Sequence, residues 1–317
     1  MKSFLKHKIV LRIIDVLTSP LSWLAVVWLR PIAKFIRYLP LNNKVFMKVG
    51  LLPVRDHYYQ PLINPGRHLI KPLREDRPLP GIGWNISEQL DLLRSFHFNT
   101  ELEQFSIDKK QELAYYYKNG SFESGDGEYL YNMIRWIQPA KFVEIGSGFS
   151  TLMAQNAITK NNNGCQHICI EPYEVEWIHQ LGVEVIRKKL EETDLSVFRS
   201  LQKDDILFID SSHIIRPQGD VLLEYLEILP QLQPGVIIHV HDIFTPKDYL
   251  DQFIFTNHYM WNEQYLLEAL LTHSKSFKII GAVNFLKHHY WEELAAKCPI
   301  LAQQVYREPG SFWMVKL

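Results

Sequence analysis

The sequence has 317 residues, of which 47% are hydrophobic, 13% aromatic and 22% charged, and this balance excludes wholesale disorder in favour of one or two folded domains. A formal net charge of −1 excludes a global polycation that coats nucleic acid, so no nucleic-acid partner is expected. Three cysteines are too few for a disulfide framework, and we therefore expect a reducing compartment.

Residues 1–40 carry most of the charge asymmetry, with seven basic residues and one acidic residue for a net charge of +6. Basic residues flank both ends of an apolar run, Ile13–Leu29. This pattern predicts a membrane-associated helical segment that leaves the rest of the chain at the cytoplasmic face. Because Pro20 follows Ser19, we expect a broken helix that enters one leaflet and returns. A single spanning anchor and a helix packed on a partner subunit remain as alternatives.

Residues 41–125 form a second region, rich in proline, which predicts an irregular accessory segment on the substrate side. Hydrophobic spacing predicts helices over Ile86–Phe96 and Ile107–Tyr117. A polar and aromatic cluster, Arg55, His57 and Tyr58, is predicted to contact the substrate, because loops often carry function. A purely structural role for this cluster is the alternative.

Residues 126–317 alternate between strand and helix patterns, which predicts an α/β domain with parallel βαβ units. Helical spacing also marks stretches such as Tyr129–Ile137 between the apolar runs. Seven strands are predicted, at Lys141–Ile145, His167–Ile170, Val183–Ile186, Ile206–Ile209, Gly235–Val240, Phe277–Val283 and Phe312–Lys316.

Acidic and polar residues follow several of these strands. Ligands of parallel sheets bind beyond the carboxyl ends of the strands, so we expect a binding site here. Gly146 permits a sharp strand-to-helix turn, and Gly148 allows a ligand to approach the backbone. Glu171 lies 23 residues beyond Gly148, near the offset of an acid that accepts hydrogen bonds from ribose hydroxyls. Thr151 stands where a third glycine would complete a dinucleotide fingerprint, and this argues against a dinucleotide.

The segment Val143–Thr151 resembles the first motif of class I S-adenosylmethionine-dependent methyltransferases, in particular the subgroup similar to sugar and macrolide O-methyltransferases. Ile170–Pro172, Asp205–His213 and Pro234–Asp242 are similar to later motifs of the same family. The resemblance implies a Rossmann-like sheet of seven strands with the last strand antiparallel. It also implies that S-adenosylmethionine is bound by Glu144, Gly146, Ser147, Gly148 and Ser150, with Glu171 at the ribose and Leu190 and Glu191 near the adenine.

Four residues after the fourth and fifth strands are candidates for catalysis: Asp210, His213, His241 and Asp242. A histidine oriented by a carboxylate can remove the proton of an acceptor hydroxyl. Metal-dependent relatives usually carry an Asp-Asp or Asp-Asn pair after the fifth strand, whereas this sequence has His241-Asp242. A divalent metal held by Asp210, His241 and Asp242 is therefore the less favoured alternative, because histidine replaces a hard oxygen ligand.

The sequence thus predicts a membrane-associated methyltransferase that modifies a hydroxyl on a sugar or lipid-linked glycan. A Rossmann-type oxidoreductase that binds a nicotinamide cofactor is an alternative from another class. A non-catalytic scaffold that retains the fold is a third interpretation, which the acids at four strand ends oppose.

Overall fold

The computed structural model describes residues 2–173 and 176–317, and the chain divides into two compact units, Met1–Ile70 and Lys71–Leu317. Residues 71–125 therefore belong to the second unit by their contacts, for example through Leu93 and Phe96 in its core. The division of function at residues 40 and 125 stays a prediction.

The first unit is helical, with α1 (Lys2–Phe35), a 3₁₀ turn (Ile36–Tyr38), α2 (Pro40–Val49) and α3 (Pro65–His68). The predicted break at Pro20 is wrong, because α1 continues through it. Proline cannot donate to the carbonyl of Val16, and the Ser19 hydroxyl donates to that carbonyl instead at 3.1 Å. Lys8–Tyr38 is long and apolar enough to cross a membrane, by length and composition alone.

The second unit contains one sheet of seven strands. Their bounds are β1 (Lys141–Ile145), β2 (Gln166–Ile170), β3 (Glu184–Ile186), β4 (Ile206–Ile209), β5 (Ile237–Val240), β6 (Phe277–Ala282) and β7 (Phe312–Lys316). All seven coincide with the predicted strands to within two residues, since short apolar runs bounded by Gly, Pro and Asp are typical of buried strands.

Helices and single turns connect these strands. The α-helices are α4 (Ile86–Ser95), α5 (Asn99–Leu102), α6 (Asp126–Ile137), α7 (Phe149–Asn161), α8 (Ser196–Arg199), α9 (Asp220–Leu223), α10 (Leu229–Gln231), α11 (Glu263–His273), α12 (Val283–His289), α13 (Trp291–Ala295) and α14 (Pro299–Gln303). The 3₁₀ turns are Glu176–Gln180 and Leu190–Glu192, and the π-helical turns are Glu224–Ile228 and Gln252–Thr256.

The strand order is β3-β2-β1-β4-β5-β7-β6. Strands β1 to β5 run parallel, and β7 lies antiparallel between β5 and β6, which confirms the predicted sheet with an antiparallel last strand. The order reverses beside β1, so β2 and β4 flank β1 on its two sides. This reversal is the place where open α/β sheets bind their ligands.

Apolar side chains cover both faces of the sheet. Along β1, Phe142 belongs to the core on the α6–α7 side, whereas Val143 and Ile145 belong to the core on the opposite side. Such alternation follows from the two-residue period of a strand. Glu144 therefore shares the face of Phe142, so its side chain points toward the α6–α7 side of the sheet.

The predicted helix over Ile107–Tyr117 is wrong. The segment is extended and irregular, and Tyr116 forms an isolated parallel bridge with Ser106. Tyr115 and Tyr117 are both buried and pack edge-to-face against Phe105. Burial of residues two apart is a strand-like pattern, and it overrides the helical spacing of the apolar residues.

Candidate functional site

A cleft opens beyond the carboxyl ends of β1, β2 and β4, with a volume of about 670 Å³. That size is typical of a small-molecule site. The cleft is lined by Ile145, Gly146, Ile170, Glu171, Pro172, Tyr173, Lys189, Leu190, Glu191, Asp210, Ser211, Ser212, Arg216 and Asp220. Among the residues predicted to bind a cofactor, Gly146, Glu171, Leu190 and Glu191 therefore lie together at this edge.

The glycine turn after β1 forms one wall of the cleft. Gly146 has a φ of +85°, and a Cβ at this position would lie 2.3 Å from the backbone oxygen of Asp210, so no other residue fits. A Cβ at Gly148 would meet nothing within 4 Å, which leaves open space beside the backbone. The Ser147 hydroxyl is inaccessible and has no hydrogen-bond partner in the described part of the chain. These features suit a loop that receives a ligand.

Glu144 and Ser150 lie behind this turn rather than in the cleft. The Ser150 hydroxyl donates a hydrogen bond to Glu144 Oε1, and the Thr151 hydroxyl donates one to Oε2 at 2.7 Å. Glu144 is fully buried. The predicted direct contact of these two residues with a cofactor is therefore corrected: because β1 alternates, Glu144 points into the core and anchors the first turn of α7.

Glu171, at the carboxyl end of β2, lines the cleft as predicted. Glu171 follows the last residue of β2, and its Oε1 accepts a hydrogen bond from the backbone nitrogen of Tyr173 at 2.7 Å. On the far wall, Arg216 lies 3.6 Å from Glu191 and 3.8 Å from Asp220. Arg216 and Asp220 were not predicted as cleft residues, because the segment after β4 has no hydrophobic periodicity from which their positions follow.

Three carboxylates surround the imidazole of His213, and together these four residues are named the cleft cluster: Asp210, His213, Asp242 and Glu263. His213 Nδ1 lies 2.8 Å from Glu263 Oε2, and Nε2 lies 3.3 Å from Asp210 Oδ1 and 3.7 Å from Asp242 Oδ2. Of the four residues predicted to be catalytic, Asp210, His213 and Asp242 thus meet in this cluster, and His241 lies beside Asp242. Glu263, the first residue of α11, is a further member of the cluster.

The backbone of this cluster is unusual. His213 and Asp242 both adopt left-handed conformations, with φ values of +59° and +53°. Such conformations are costly for non-glycine residues and concentrate at functional sites. The carbonyl of His213 accepts hydrogen bonds from the backbone nitrogens of Asn262 and Glu263, which fixes the loop after β4 on the start of α11.

Solvent reaches only part of the cluster. The Asp210 side chain is 36% exposed and lines the cleft, and Asp242 is 20% exposed, whereas His213 and Glu263 are buried. His241 is also buried, its ring packs edge-to-face against Phe122, and its Nδ1 lies 4.0 Å from Asp242 Oδ1. A ligand in the cleft can therefore reach the carboxylates of Asp210 and Asp242 more readily than the two imidazoles.

The charges of this region depend on the same contacts. Burial opposes a charge on His213, but the hydrogen bonds with Asp210 and Glu263 outweigh it and raise the pKa of His213 well above its usual 6.5. Burial likewise opposes a charge on His241, and the charges of Asp210 and Asp242 raise its pKa. Both imidazoles are thus stabilised in the charged form. The assignment of a histidine base stays a prediction.

The two aspartates are shifted in opposite directions. For Asp210, burial raises the pKa, but His241 and His213 outweigh that effect, so the net pKa is lowered. For Asp242, burial is the largest influence and the pKa is raised. Asp242 therefore has the higher proton affinity of the two.

The predicted metal set of Asp210, His241 and Asp242 does not bring three ligand atoms within reach of one ion in the part of the chain that the structure describes. The His213 imidazole lies between the two aspartates instead. A group of three close ligand atoms is formed elsewhere by Glu144, His167 and Cys169. The metal alternative at the cleft stays a prediction that chelation can test.

The predicted acceptor residues Arg55, His57 and Tyr58 lie in the first unit. Tyr58 is 87% exposed, and His57 Nδ1 accepts a hydrogen bond from the backbone nitrogen of Tyr59 at 3.3 Å. Their role in substrate binding stays a prediction.

Comparison with known protein families identifies a family described as a methyltransferase domain over residues 143–243. A protein of Archaeoglobus fulgidus, described as uncharacterized, is 30% identical over 178 residues, which cover 52% of this chain and 80% of that protein. The matched residues begin within β1, continue through β5 and include all four residues that were predicted to be catalytic.

Solved structures of low similarity include methyltransferases crystallised with S-adenosylhomocysteine (SAH). The SAH-bound methyltransferase PaMTH1 of Podospora anserina has 15% identity and a TM-score of 0.36, covering 62% of this chain and 82% of that one. The O-methyltransferase from Bacillus cereus in complex with SAH has 13% identity and a TM-score of 0.37, covering 73% and 91%.

Proposed function

Since the chain belongs to one family with the Archaeoglobus fulgidus protein and carries a methyltransferase domain, we propose that it transfers a methyl group from S-adenosylmethionine to a hydroxyl oxygen. The favoured acceptor is a sugar or a lipid-linked glycan at the cytoplasmic face of the membrane. The methyltransferase domain also favours this activity over the nicotinamide-dependent alternative.

The cleft residues fit this cofactor. Glu171 offers a carboxylate to the ribose hydroxyls, Leu190 and Glu191 line the part of the cleft proposed for the adenine, and the open side of Gly148 leaves room for the methionine end. The buried hydroxyl of Ser147 on the same loop has no hydrogen-bond partner among the described residues. When bound, the sulfonium supplies an electrophilic methyl group.

The cleft cluster activates the acceptor. The acceptor oxygen forms the new bond to the methyl carbon while the bond from that carbon to sulfur breaks, and the hydroxyl proton must leave. Asp242 takes that proton, because its raised pKa makes it the better acceptor of the two aspartates. The charged His213 holds Asp210 and Asp242 in position and balances their negative charge.

One observation carries this proposal: Asp210 belongs to the cofactor cleft and to the cleft cluster at once. Its side chain lines the cleft and its Oδ1 lies 3.3 Å from His213 Nε2. A methyl donor in the cleft and a hydroxyl beside Asp242 would therefore be close together. Positioning of the two reactants is the main requirement of methyl transfer.

The acceptor class and the location rest on other features. Residues 1–40 carry a net charge of +6, and their basic residues flank an apolar helix on which Trp23 and Trp28 are exposed. This combination is typical of a segment that binds an anionic membrane surface. A lipid-linked acceptor would be concentrated at that surface. Arg55, His57 and Tyr58 remain the candidates for substrate contacts outside the second unit.

The activity is tested by incubating the full chain with S-adenosylmethionine that is isotope-labelled in the methyl group, together with membrane extracts. Label that enters a glycolipid or glycan fraction, and that is absent with Asp242→Asn, supports the proposal. Label in protein or nucleic acid alone would contradict the proposed acceptor class. A second arm with a chelator separates the metal-free base from the metal alternative.

The location is tested by fractionation. The full chain should sediment with membranes and require detergent for release, whereas a chain without residues 1–40 should be soluble and still bind SAH. A full chain that stays in the soluble fraction without detergent would contradict the membrane assignment.

A further inference from the structure

Three chemically different ligand atoms meet behind the glycine turn, in a group named the buried cluster: Glu144, His167 and Cys169. Glu144 Oε2 lies 3.4 Å from His167 Nε2 and 3.5 Å from Cys169 Sγ, and the last two atoms are 3.6 Å apart. All three residues are buried. The proposed methyl transfer uses none of the three directly.

The strand register explains why these atoms meet. Glu144 of β1 is paired with Cys169 of β2, and Phe142 is paired with His167, so the three polar side chains share one face of the sheet. That face is covered by α7, which supplies Gln155 and Thr151. The cluster thus joins two strands and the helix that follows the glycine turn.

The surrounding hydrogen bonds direct the three ligand atoms toward a common point. His167 Nδ1 donates to Gln155 Oε1 at 3.1 Å, which leaves the lone pair of Nε2 facing Glu144 and Cys169. Glu144 is held by the hydroxyls of Ser150 and Thr151. A histidine lone pair that faces a carboxylate oxygen requires a cation between them, either a proton or a metal ion. Metal-binding histidines typically show this second hydrogen bond.

We propose that the buried cluster is a zinc site. Three atoms with separations of 3.4 to 3.6 Å are spaced like three corners of a tetrahedron whose centre is about 2.1 Å from each corner. This distance is usual for zinc bound to oxygen and nitrogen and slightly shorter than that for zinc bound to sulfur. A thiolate, a carboxylate and a neutral imidazole carry two negative charges together, so the bound Zn²⁺ would leave a neutral group in the interior. The thiol proton is released to solvent on binding.

The role of such an ion is structural. It fixes β1, β2 and the first turn of α7, which together hold the glycine turn at the wall of the cleft. The metal-free arrangement would instead have His167 and Cys169 as hydrogen-bond donors to Glu144. Metal content separates the two arrangements, and it does so independently of methyltransferase activity.

The test uses the full chain, produced in zinc-supplemented medium and purified without chelator, with zinc measured by elemental mass spectrometry. About one zinc ion per folded chain is expected. Exchange with Co²⁺ should produce the absorption band of a thiolate bound to cobalt. Cys169→Ser should lose this band, whereas the matched control Cys165→Ser, outside the cluster, should keep it.

Gln155→Ala provides a variant that keeps all three ligands. It removes the hydrogen bond to His167 Nδ1 and should weaken metal affinity about 10- to 100-fold. A folded wild-type chain that contains only traces of zinc and gives no thiolate–cobalt band would overturn the proposal. A band that persists in Cys169→Ser would overturn it as well, because the metal would then be bound elsewhere.

Discussion

The cleft cluster and the buried cluster each place a histidine beside a carboxylate, yet their surroundings differ. In the cleft cluster, the Asp210 side chain is 36% exposed and a ligand can reach it, whereas Glu144 in the buried cluster has no exposed side-chain area. Glu144 is held by hydroxyls of α7, and Asp210 faces open space. A carboxylate beside a histidine is therefore suited to catalysis only where the fold leaves one side of it open.

The largest effect expected is on turnover, from a change in the cleft cluster. Asp242→Asn removes the proposed proton acceptor and should lower turnover about 10²- to 10⁴-fold. Asparagine tolerates the left-handed backbone of this position, so the fold should persist. SAH affinity should stay near the wild-type value.

The matched control is Asp204→Asn, at the opposite end of β4, which also has a left-handed backbone. It should retain wild-type turnover. Wild-type turnover in Asp242→Asn would mean that Asp242 does not accept the proton and that positioning alone accounts for catalysis.

The pH dependence of turnover distinguishes Asp242 from a histidine as the proton acceptor. If Asp242 accepts the proton, activity rises as pH passes through its raised pKa. Activity should fall again only when His213 loses its proton, above its raised pKa. A histidine base would instead give a rise in activity, not a fall, as pH passes through the raised pKa of His213 or His241. Initial rates at saturating cofactor distinguish these profiles.

A smaller effect, on stability rather than turnover, is expected from the buried cluster. His167→Gln removes a ligand of the proposed zinc site and a buried partner of Glu144, and should lower the free energy of unfolding by at least about 1–3 kcal/mol. Turnover of the folded fraction should change little at saturating cofactor. His273→Gln, at the exposed end of α11, is the control for denaturant unfolding. A large loss of turnover at unchanged stability would contradict the claim that the buried cluster is structural and only the cleft cluster is catalytic.

The sequence predicted the sheet well because short apolar strands ended by Gly, Glu or Asp leave a local signal. It also predicted that Asp210, His213, His241 and Asp242 lie close together, since parallel strands bring their carboxyl ends to one edge. Glu263 was not assigned to this cluster because it lies 50 residues beyond His213 and reaches it only through the packing of α11.

Two errors have other physical origins. Glu144 was placed in the cleft because the motif resemblance gives its spacing but not its face, whereas the two-residue period of β1 places Glu144 on the same face as Phe142. The helix over Ile107–Tyr117 failed because the buried tyrosines pack against Phe105, a tertiary contact that local spacing cannot reveal.

The central claim is that the cleft beside the glycine turn binds S-adenosylmethionine, and titration calorimetry with SAH tests it most directly. The wild-type chain should bind one SAH, and Glu171→Ala should weaken binding by about 1–3 kcal/mol because the ribose hydroxyls lose their acceptor. Glu184→Ala, at the start of β3, should bind like the wild type. Absence of SAH binding by the folded wild-type chain, or equal affinity in Glu171→Ala, would contradict this assignment of the cleft.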